Sequence, residues 1–403
     1  MSIAHELRAQ FPFYAPKAPP DHYLDNAATS QIHRQALDAM VRQETSRANV
    51  QRSPHRLAEA ATLAYGQARE RAGRFLNAAS ADEVVFTSGA TAALNLVACC
   101  FGSTLKPGDE VVLSAAEHHS NFVPWLRLRD RAGIRLRVLP VLPNGRIATA
   151  SLADLVTERC RLIALTHCSN VTGAVSDVKA AVAAARAVGA RVLLDGAQRV
   201  QHGPVDVQAL GADFYAFSGH KCFGPTGVGV LWARRAVLDA LPPFLTGGGM
   251  VGTVSLEELS FAPPPARFEA GTPPIAQAVG LGAALDWMMT LPWAEIHDYE
   301  SALLARLLEG LARLPAVRLI GPGDLDARLP IVSFEVAGVH PHDVCQVLGE
   351  RGVALRGGHH CAQPLFAALG SEGATRASIA LYNDFADVDA LLAGLEHALR
   401  VLS

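Results

Sequence analysis

Val192-Leu193-Leu194-Asp195-Gly196-Ala197-Gln198 is a short apolar run that closes on a carboxylate and a glycine. A run this short, bounded by a turn former, reads as a strand buried on both faces rather than as a helix. The pattern recurs on either side of it. Val84-Phe86, Val111-Leu113, Leu136-Leu142, Leu162-Thr166, Asp213-Phe217 and Val228-Trp232 are runs of the same kind, separated by longer, Ala-rich segments of helix length. Strands alternating with helix-length connections predict an α/β fold with a mostly parallel seven-stranded sheet covered by helices. Ligands of such sheets bind in the crevice outside the C-terminal strand ends, and Asp195 stands at that end of its strand.

At 403 residues the chain is longer than one hydrophobic core usually supports, which predicts two domains. With 50% hydrophobic and 18% charged residues, it has material for a large core and none of the bias of a disordered chain. Gly247-Gly248-Gly249 and Pro263-Pro264-Pro265 interrupt the alternation and predict an irregular loop region, after which Ile275 to Met289 reads as a bridging helix. From about residue 295 the order becomes a long helix, a strand at Ile331-Val336, a helix at Pro341-Arg351, strands at Val353-Arg356 and Ala377-Leu381, and a closing helix over Asp387-Leu402. The expectation is a large domain over 15-290 and a smaller α+β domain over 291-403, with residues 1-14 packing on the smaller one.

The net charge of -3 and a pI near 6.6 offer no electrostatic attraction for nucleic acid or an anionic membrane. No stretch is long and apolar enough to span a bilayer, and Met1 to Glu6 lacks a signal-peptide core, so a cytoplasmic location is expected. Seven cysteines without framework spacing agree with reduced thiols. Cys99-Cys100, Cys160, Cys168 and Cys222 lie in apolar contexts that predict burial; Cys361 does not.

Asp195 and Lys221 carry the clearest chemistry. The lysine follows the apolar run Phe214-Phe217 in Ser218-Gly219-His220-Lys221, a short way downstream of the acid. An enzyme that holds pyridoxal phosphate needs such a pair, a carboxylate against the pyridinium nitrogen and an amine for the Schiff base. The bland alternatives are an Asp that caps the following helix and a lysine at the surface. Thr87-Ser88-Gly89-Ala90-Thr91 follows a strand and opens an apolar helix, so its free N–H groups suit a phosphate, and Ser218 and His220 could close the cradle.

Glu117-His118-His119 follows Val111-Leu113 and offers an imidazole to stack on a cofactor ring. His118-His119 and His359-His360 also invite a metal reading, but neighbouring residues on a strand point to opposite faces, so no metal site is expected. Cys361 lies in the glycine-opened loop Arg356-Gly357-Gly358-His359-His360-Cys361 and suits an accessible, nucleophilic thiol. Arg376 begins a later strand and offers a bidentate donor for an amino-acid carboxylate. Singly, each has a structural counterpart: an exposed histidine, a buried thiol, a surface ion pair.

Further segments join these: Tyr23-Leu-Asp-Asn-Ala-Ala28, Glu117-His-His-Ser-Asn-Phe-Val-Pro-Trp125, Ser169-Asn-Val-Thr-Gly173, Phe217-Ser-Gly-His-Lys-Cys-Phe-Gly-Pro-Thr-Gly227, Phe268-Glu-Ala-Gly-Thr-Pro273, Arg356-Gly-Gly-His-His-Cys-Ala-Gln-Pro-Leu365 and Arg376-Ala-Ser-Ile-Ala-Leu-Tyr-Asn383. Together they resemble the class V aminotransferase-fold cysteine desulfurases of the Suf/Csd type, a family that also includes selenocysteine lyases. The resemblance runs over nearly the whole chain. It implies a fold-type I pyridoxal-phosphate enzyme acting as a homodimer, with active sites at the subunit interface. It implies that Lys221 is the Schiff-base lysine and the base at Cα, that Asp195 faces the pyridine nitrogen, that Gln198 meets the phenolic oxygen and that His118 stacks on the ring. Ala90, Thr91, Ser218 and His220 would hold the phosphate, joined by Thr272 of the partner subunit. Asn170, Arg356 and Arg376 would orient cofactor and substrate carboxylate.

The implied reaction converts L-cysteine, or L-selenocysteine in the lyases, to L-alanine, leaves sulfur on Cys361 as a persulfide and passes it to an acceptor protein. Iron-sulfur cluster assembly, thio-cofactors and tRNA thiolation are the pathways such sulfur serves. The chain departs from the family pattern at Ala90, which replaces the first of two phosphate-binding threonines, at Ala92 or Ala93 in place of an acid, and at Cys222-Phe223 where Leu-Tyr is frequent. Two rivals remain at this level: a related lyase or aminotransferase in which Cys361 is incidental, and a catalytically silent scaffold for sulfur-assembly partners. The joint presence of Lys221, Asp195 and Cys361 speaks against the scaffold.

Overall fold

Strands Glu110–Ser114, Phe214–Ser218 and Gly229–Ala233 are buried along their whole length, because helices cover both faces of the sheet they belong to. The computed structural model that contains them describes residues 3–14, 21–51 and 53–402; the expected domain start at residue 15 lies outside the described residues. The sheet has seven strands in the order Val84–Thr87, Gly229–Ala233, Phe214–Ser218, Arg191–Asp195, Cys160–Thr166, Glu110–Ser114, Arg135–Leu139. Gly229–Ala233 runs antiparallel to both neighbours, and the remaining pairs are parallel. The expected α/β class and strand count are met, with boundaries shifted by one to three residues, most at Arg135–Leu139, which ends three residues before the expected Leu142.

Local chemistry sets the helices between strands. The Val178–Val188 helix starts where Asp177 accepts a hydrogen bond from the Ala180 N–H at 3.0 Å, and it stops at Gly189 in the left-handed region. The Ile275–Met288 helix is apolar almost all round because it is packed on several sides. At Gly282 a Cβ would stand 2.8 Å from Ala68 Cα in the Arg56–Phe75 helix, so only glycine permits that approach.

The second sheet is antiparallel throughout, in the order Val317–Ile320, Ile331–Val336, Ala374–Ser378, Arg356–Gly358. Helices Trp293–Ala312, Pro341–Gly349 and Phe385–Leu402 bury Leu303, Leu307, Val344 and Leu395 against Val332 and Phe334 of this sheet. Arg8, on the N-terminal Ile3–Arg8 helix, pairs with Asp384 and Asp387 at the start of the last of these helices.

Several expectations need correction. The strand expected at Ala377-Leu381 is Ala374–Ser378, which places Arg376 inside it rather than at its start. The glycine- and proline-marked region holds an antiparallel hairpin, Val251–Val254 with Leu259–Phe261. Strand Val317–Ile320 was not expected at all. Cys99 is exposed while Cys100 is buried, because adjacent positions on the Ala90–Cys100 helix point about 100° apart. Among the described residues no helix is long and apolar enough to cross a membrane.

Candidate active site

The C-terminal ends of strands Arg191–Asp195 and Phe214–Ser218 open beside the Cys361 loop of the second sheet, and a cavity of about 220 Å³ lies between them. Asp195, Gln198, Ser218, His220 and Lys221 line it from the large sheet, and Arg356, Cys361 and Arg376 from the small one. Ala90, Thr91, His118 and Asn170 complete the expected set. Thr272 is the exception: it lines a different cleft, with Arg69 and Glu269, and does not reach this cavity within one chain.

Asp195 is 4% exposed and accepts from the Ala197 N–H at 3.0 Å. Burial raises its pKa and the Lys221 charge opposes that shift. Lys221 is half-buried. Burial pushes its ammonium down to about 8, while Asp195 pulls it up and Arg376 and Arg356 press it down further. No ion pair or hydrogen bond joins Lys221 to Asp195 among the described residues. The two face each other across open space rather than in contact.

The Ala90–Cys100 helix presents its N-terminus to the same space. Gly89 precedes it at φ +151°, with no side-chain cap, and a Cβ there would stand 3.3 Å from Ser218 Oγ. Ala90 N–H donates to Ser218 Oγ at 2.8 Å, and the next two N–H groups, of Thr91 and Ala92, lack intrahelical acceptors before Ala93 N–H donates to the Gly89 carbonyl. Thr91 Oγ1 shares a 2.8 Å hydrogen bond with Ser120 Oγ. His118 Nδ1 accepts from the Ser120 N–H at 3.1 Å, so the proton of the neutral ring sits on Nε2. Burial first and Lys221 second lower both His118 and His220 to about 4, and both rings are neutral at pH 7. Beneath His118, Glu117 is fully buried and raised to about 8, chiefly by desolvation; its carboxyl accepts from Ser114 Oγ at 2.5 Å and Asn121 Nδ2 at 2.7 Å.

Hydrogen bonds tie the thiol loop across the cavity. Asn170 Nδ2 donates to the His360 carbonyl at 2.7 Å, and His119 N–H donates to the Cys361 carbonyl at 2.7 Å. His360 and Cys361 both adopt positive φ, 49° and 57°, a conformation that costs non-glycine residues about 1–3 kcal/mol each and is kept where the surroundings impose it. The thiol itself is exposed. Arg376, 2% exposed, donates to the Asn170 carbonyl at 2.9 Å and to Asp25 Oδ1 at 3.1 Å, and its Nε is buried without an acceptor. Arg356 lies directly opposite Arg376 in the strand register. Facing like charges are unfavourable unless an anion sits between them.

These features fit pyridoxal phosphate. An uncapped helix N-terminus with Thr91, Ser218 and His220 beside it suits the phosphate, and a desolvated acid set apart from an amine of lowered pKa leaves a slot for the ring between them. Ser120 and Glu117 were not among the expected site residues. Both lie inside the Glu117–Trp125 segment, and only the fold reveals that Ser120 braces Thr91 and His118 while Glu117 is bound by Ser114 and Asn121.

Residues 22–391 match the family model described as aminotransferase class-V. A probable cysteine desulfurase of Streptomyces coelicolor is 46% identical over 400 residues, covering 97% of this chain and 96% of that protein. A cysteine desulfurase of Salmonella typhimurium is 44% identical over 402 residues, with 98% of each chain covered. Among solved structures, the Escherichia coli cysteine desulfurase CsdA, in an S-sulfonic acid form, superposes with a TM-score of 0.91 at 40% identity, over 99% of this chain and 98% of that one. The apo cysteine desulfurase of Thermococcus onnurineus NA1 gives 0.94 at 37% identity, with 99% of each chain covered.

Proposed function

The chain belongs to the class-V aminotransferase family and is a pyridoxal-phosphate-dependent cysteine desulfurase, and from that premise we propose how its residues divide the conversion of L-cysteine to L-alanine. Lys221 anchors the cofactor, Asp195 faces its ring nitrogen, Gln198 its phenolic oxygen and His118 its ring face. Ala90, Thr91, Ser218 and His220 hold its phosphate, and Thr272 of the partner subunit joins them in a homodimer. When bound, pyridoxal phosphate supplies the electron sink that makes the substrate Cα–H acidic.

Lys221 carries the proton taken from Cα, and a pKa near 8 lets it exchange protons close to neutral pH. Arg376 and Arg356 hold the substrate carboxylate, with Asn170 keeping the Arg376 guanidinium in place. Cys361 Sγ attacks the substrate sulfur. The Cβ–S bond breaks with its electron pair left on carbon, an S–S bond forms, and Cβ takes up one proton to become the alanine methyl. Cysteine plus the Cys361 thiol thus become alanine plus a Cys361 persulfide, with no outside oxidant. A thiol of an acceptor protein then removes the outer sulfur, with iron-sulfur cluster assembly as its destination. Reduced, unpaired cysteines support a cytoplasmic setting.

The observation that carries this reading is the convergence of Lys221, Asp195 and an exposed Cys361 on one cavity. Mass spectrometry after incubation with L-cysteine should find one added sulfur on Cys361. Alanine formation should fall with Cys361→Ala; unchanged turnover in that variant would remove the thiol from the mechanism.

A further inference from the structure

Behind the active site, a second cavity of about 200 Å³ lies where the Trp293–Ala312 helix meets Arg199 and the segment around Arg328. His297 and Ser301 stand at its exposed mouth, and Glu300 and Arg328 lie deeper, 3% and 8% exposed. Arg328 spends its Nη atoms on the carbonyls of Pro322, Thr172 and Ile331, and its Nε is buried without an acceptor. Arg199 donates to the carbonyls of His202 and Gly203. Neither guanidinium has a carboxylate at ion-pairing distance among the described residues. Glu300 has the opposite need: Oε2 accepts from His202 Nδ1 at 2.9 Å, while Oε1 is buried without a donor.

A buried guanidinium short of one acceptor and a buried carboxylate short of a donor therefore frame one space, with the half-buried Arg199 beside them. An unpaired buried polar atom is destabilising, and a bound molecule of the right chemistry removes that penalty. A pure anion would satisfy the arginines and be repelled by Glu300. We propose that this cavity binds a small oxyanion carrying its own hydrogen-bond donor, hydrogen phosphate being the simplest, with its oxygens on Arg199 and Arg328 and its hydroxyl on Glu300. Arg199 follows Gln198 directly, and Arg328 holds the Thr172 carbonyl close to Asn170.

The test is calorimetric titration of the holoenzyme, whose cofactor already fills the other phosphate site, with inorganic phosphate and with sulfate against a chloride control of matched ionic strength. Sulfate at neutral pH has no hydroxyl. Saturable phosphate binding is expected, with sulfate about tenfold weaker, the order of one lost charge-assisted hydrogen bond. Ser301→Trp, at an exposed helix position, should close the mouth and abolish binding while circular dichroism shows an intact fold. Arg356→Ala, in the active site, should leave binding in place, and Glu300→Gln, whose amide supplies a donor, should narrow the preference for phosphate over sulfate. No heat beyond the chloride control would mean that the cavity holds water alone. Equal affinity for both anions, or binding that survives Ser301→Trp and falls with Arg356→Ala, would equally overturn the assignment.

Discussion

Lys221 and Glu117 are both brought to about 8 by desolvation, from opposite directions, and their effects on stability run with opposite sign. The native Lys221 loses its proton before the unfolded chain does at 10.5, so in the apoprotein it weighs against folding below about 8 and progressively less as pH rises towards 10.5. Competitive acetylation of the apoprotein across that range should give a midpoint near 8 for Lys221; a midpoint at the ordinary 10.5 would mean that the amine is solvated. Glu117 keeps a proton that the unfolded chain releases at 4.5, so its contribution is fully present below 4.5 and is lost as pH rises through about 8. Replacing it by Gln, which cannot ionise, should flatten the fall in urea-denaturation stability between those limits. An unchanged slope would show that the native carboxyl is ionised throughout. Glu117 was legible in the sequence only as the residue before His118, since nothing in its spacing reports that Ser114 and Asn121 close over it.

At the scale of elements, the antiparallel pair Arg356–Gly358 and Ala374–Ser378 sets two guanidiniums opposite each other. Arg376 is buried and also supports Asn170, so its loss would mix binding with folding. Arg356 is exposed and separates the two. Arg356→Ala should raise KM for L-cysteine about tenfold through one lost charged contact, with kcat little changed and stability within about 0.5 kcal/mol of wild type. A fall in kcat at constant KM would instead place Arg356 in the chemical step. The same pair shows where sequence reading weakens. Six of the seven strands of the large sheet were legible because burial on both faces leaves near-continuous apolar runs, whereas the edge strand Arg135–Leu139 is mostly accessible and carries two arginines. Ala374–Ser378 is equally buried, yet it is built from Ala, Thr, Arg and Ser, so the apolar signal begins too late and the expected strand slid towards Leu381. The hairpin at Val251–Val254 is largely exposed, and its alternation is correspondingly faint.

Across the whole molecule, the site exists because two separately patterned sheets meet. Asn170 reaches the His360 carbonyl across 190 positions of sequence, and His119 reaches the Cys361 carbonyl from another distant loop. Motif spacing identifies such residues one by one and leaves their juxtaposition to the fold. Thr272 marks where one chain stops being sufficient, since it lies in a cleft with Arg69 and Glu269, apart from the other expected phosphate ligands. If it serves the partner subunit, Thr272→Ala should weaken pyridoxal phosphate binding about tenfold to a hundredfold, as the loss of a hydrogen bond to a charged group would. Mixed dimers then provide a decisive geometry. Pairing a Lys221→Ala chain with a Thr272→Ala chain places both defects in one site and leaves the other site wholly native. Refolded mixtures should regain cofactor at native affinity, read from visible absorbance and pyridoxal phosphate stoichiometry, up to one site per mixed dimer. Were Thr272 to act within its own chain, every site of the mixture would keep one defect, and no native-affinity fraction would appear.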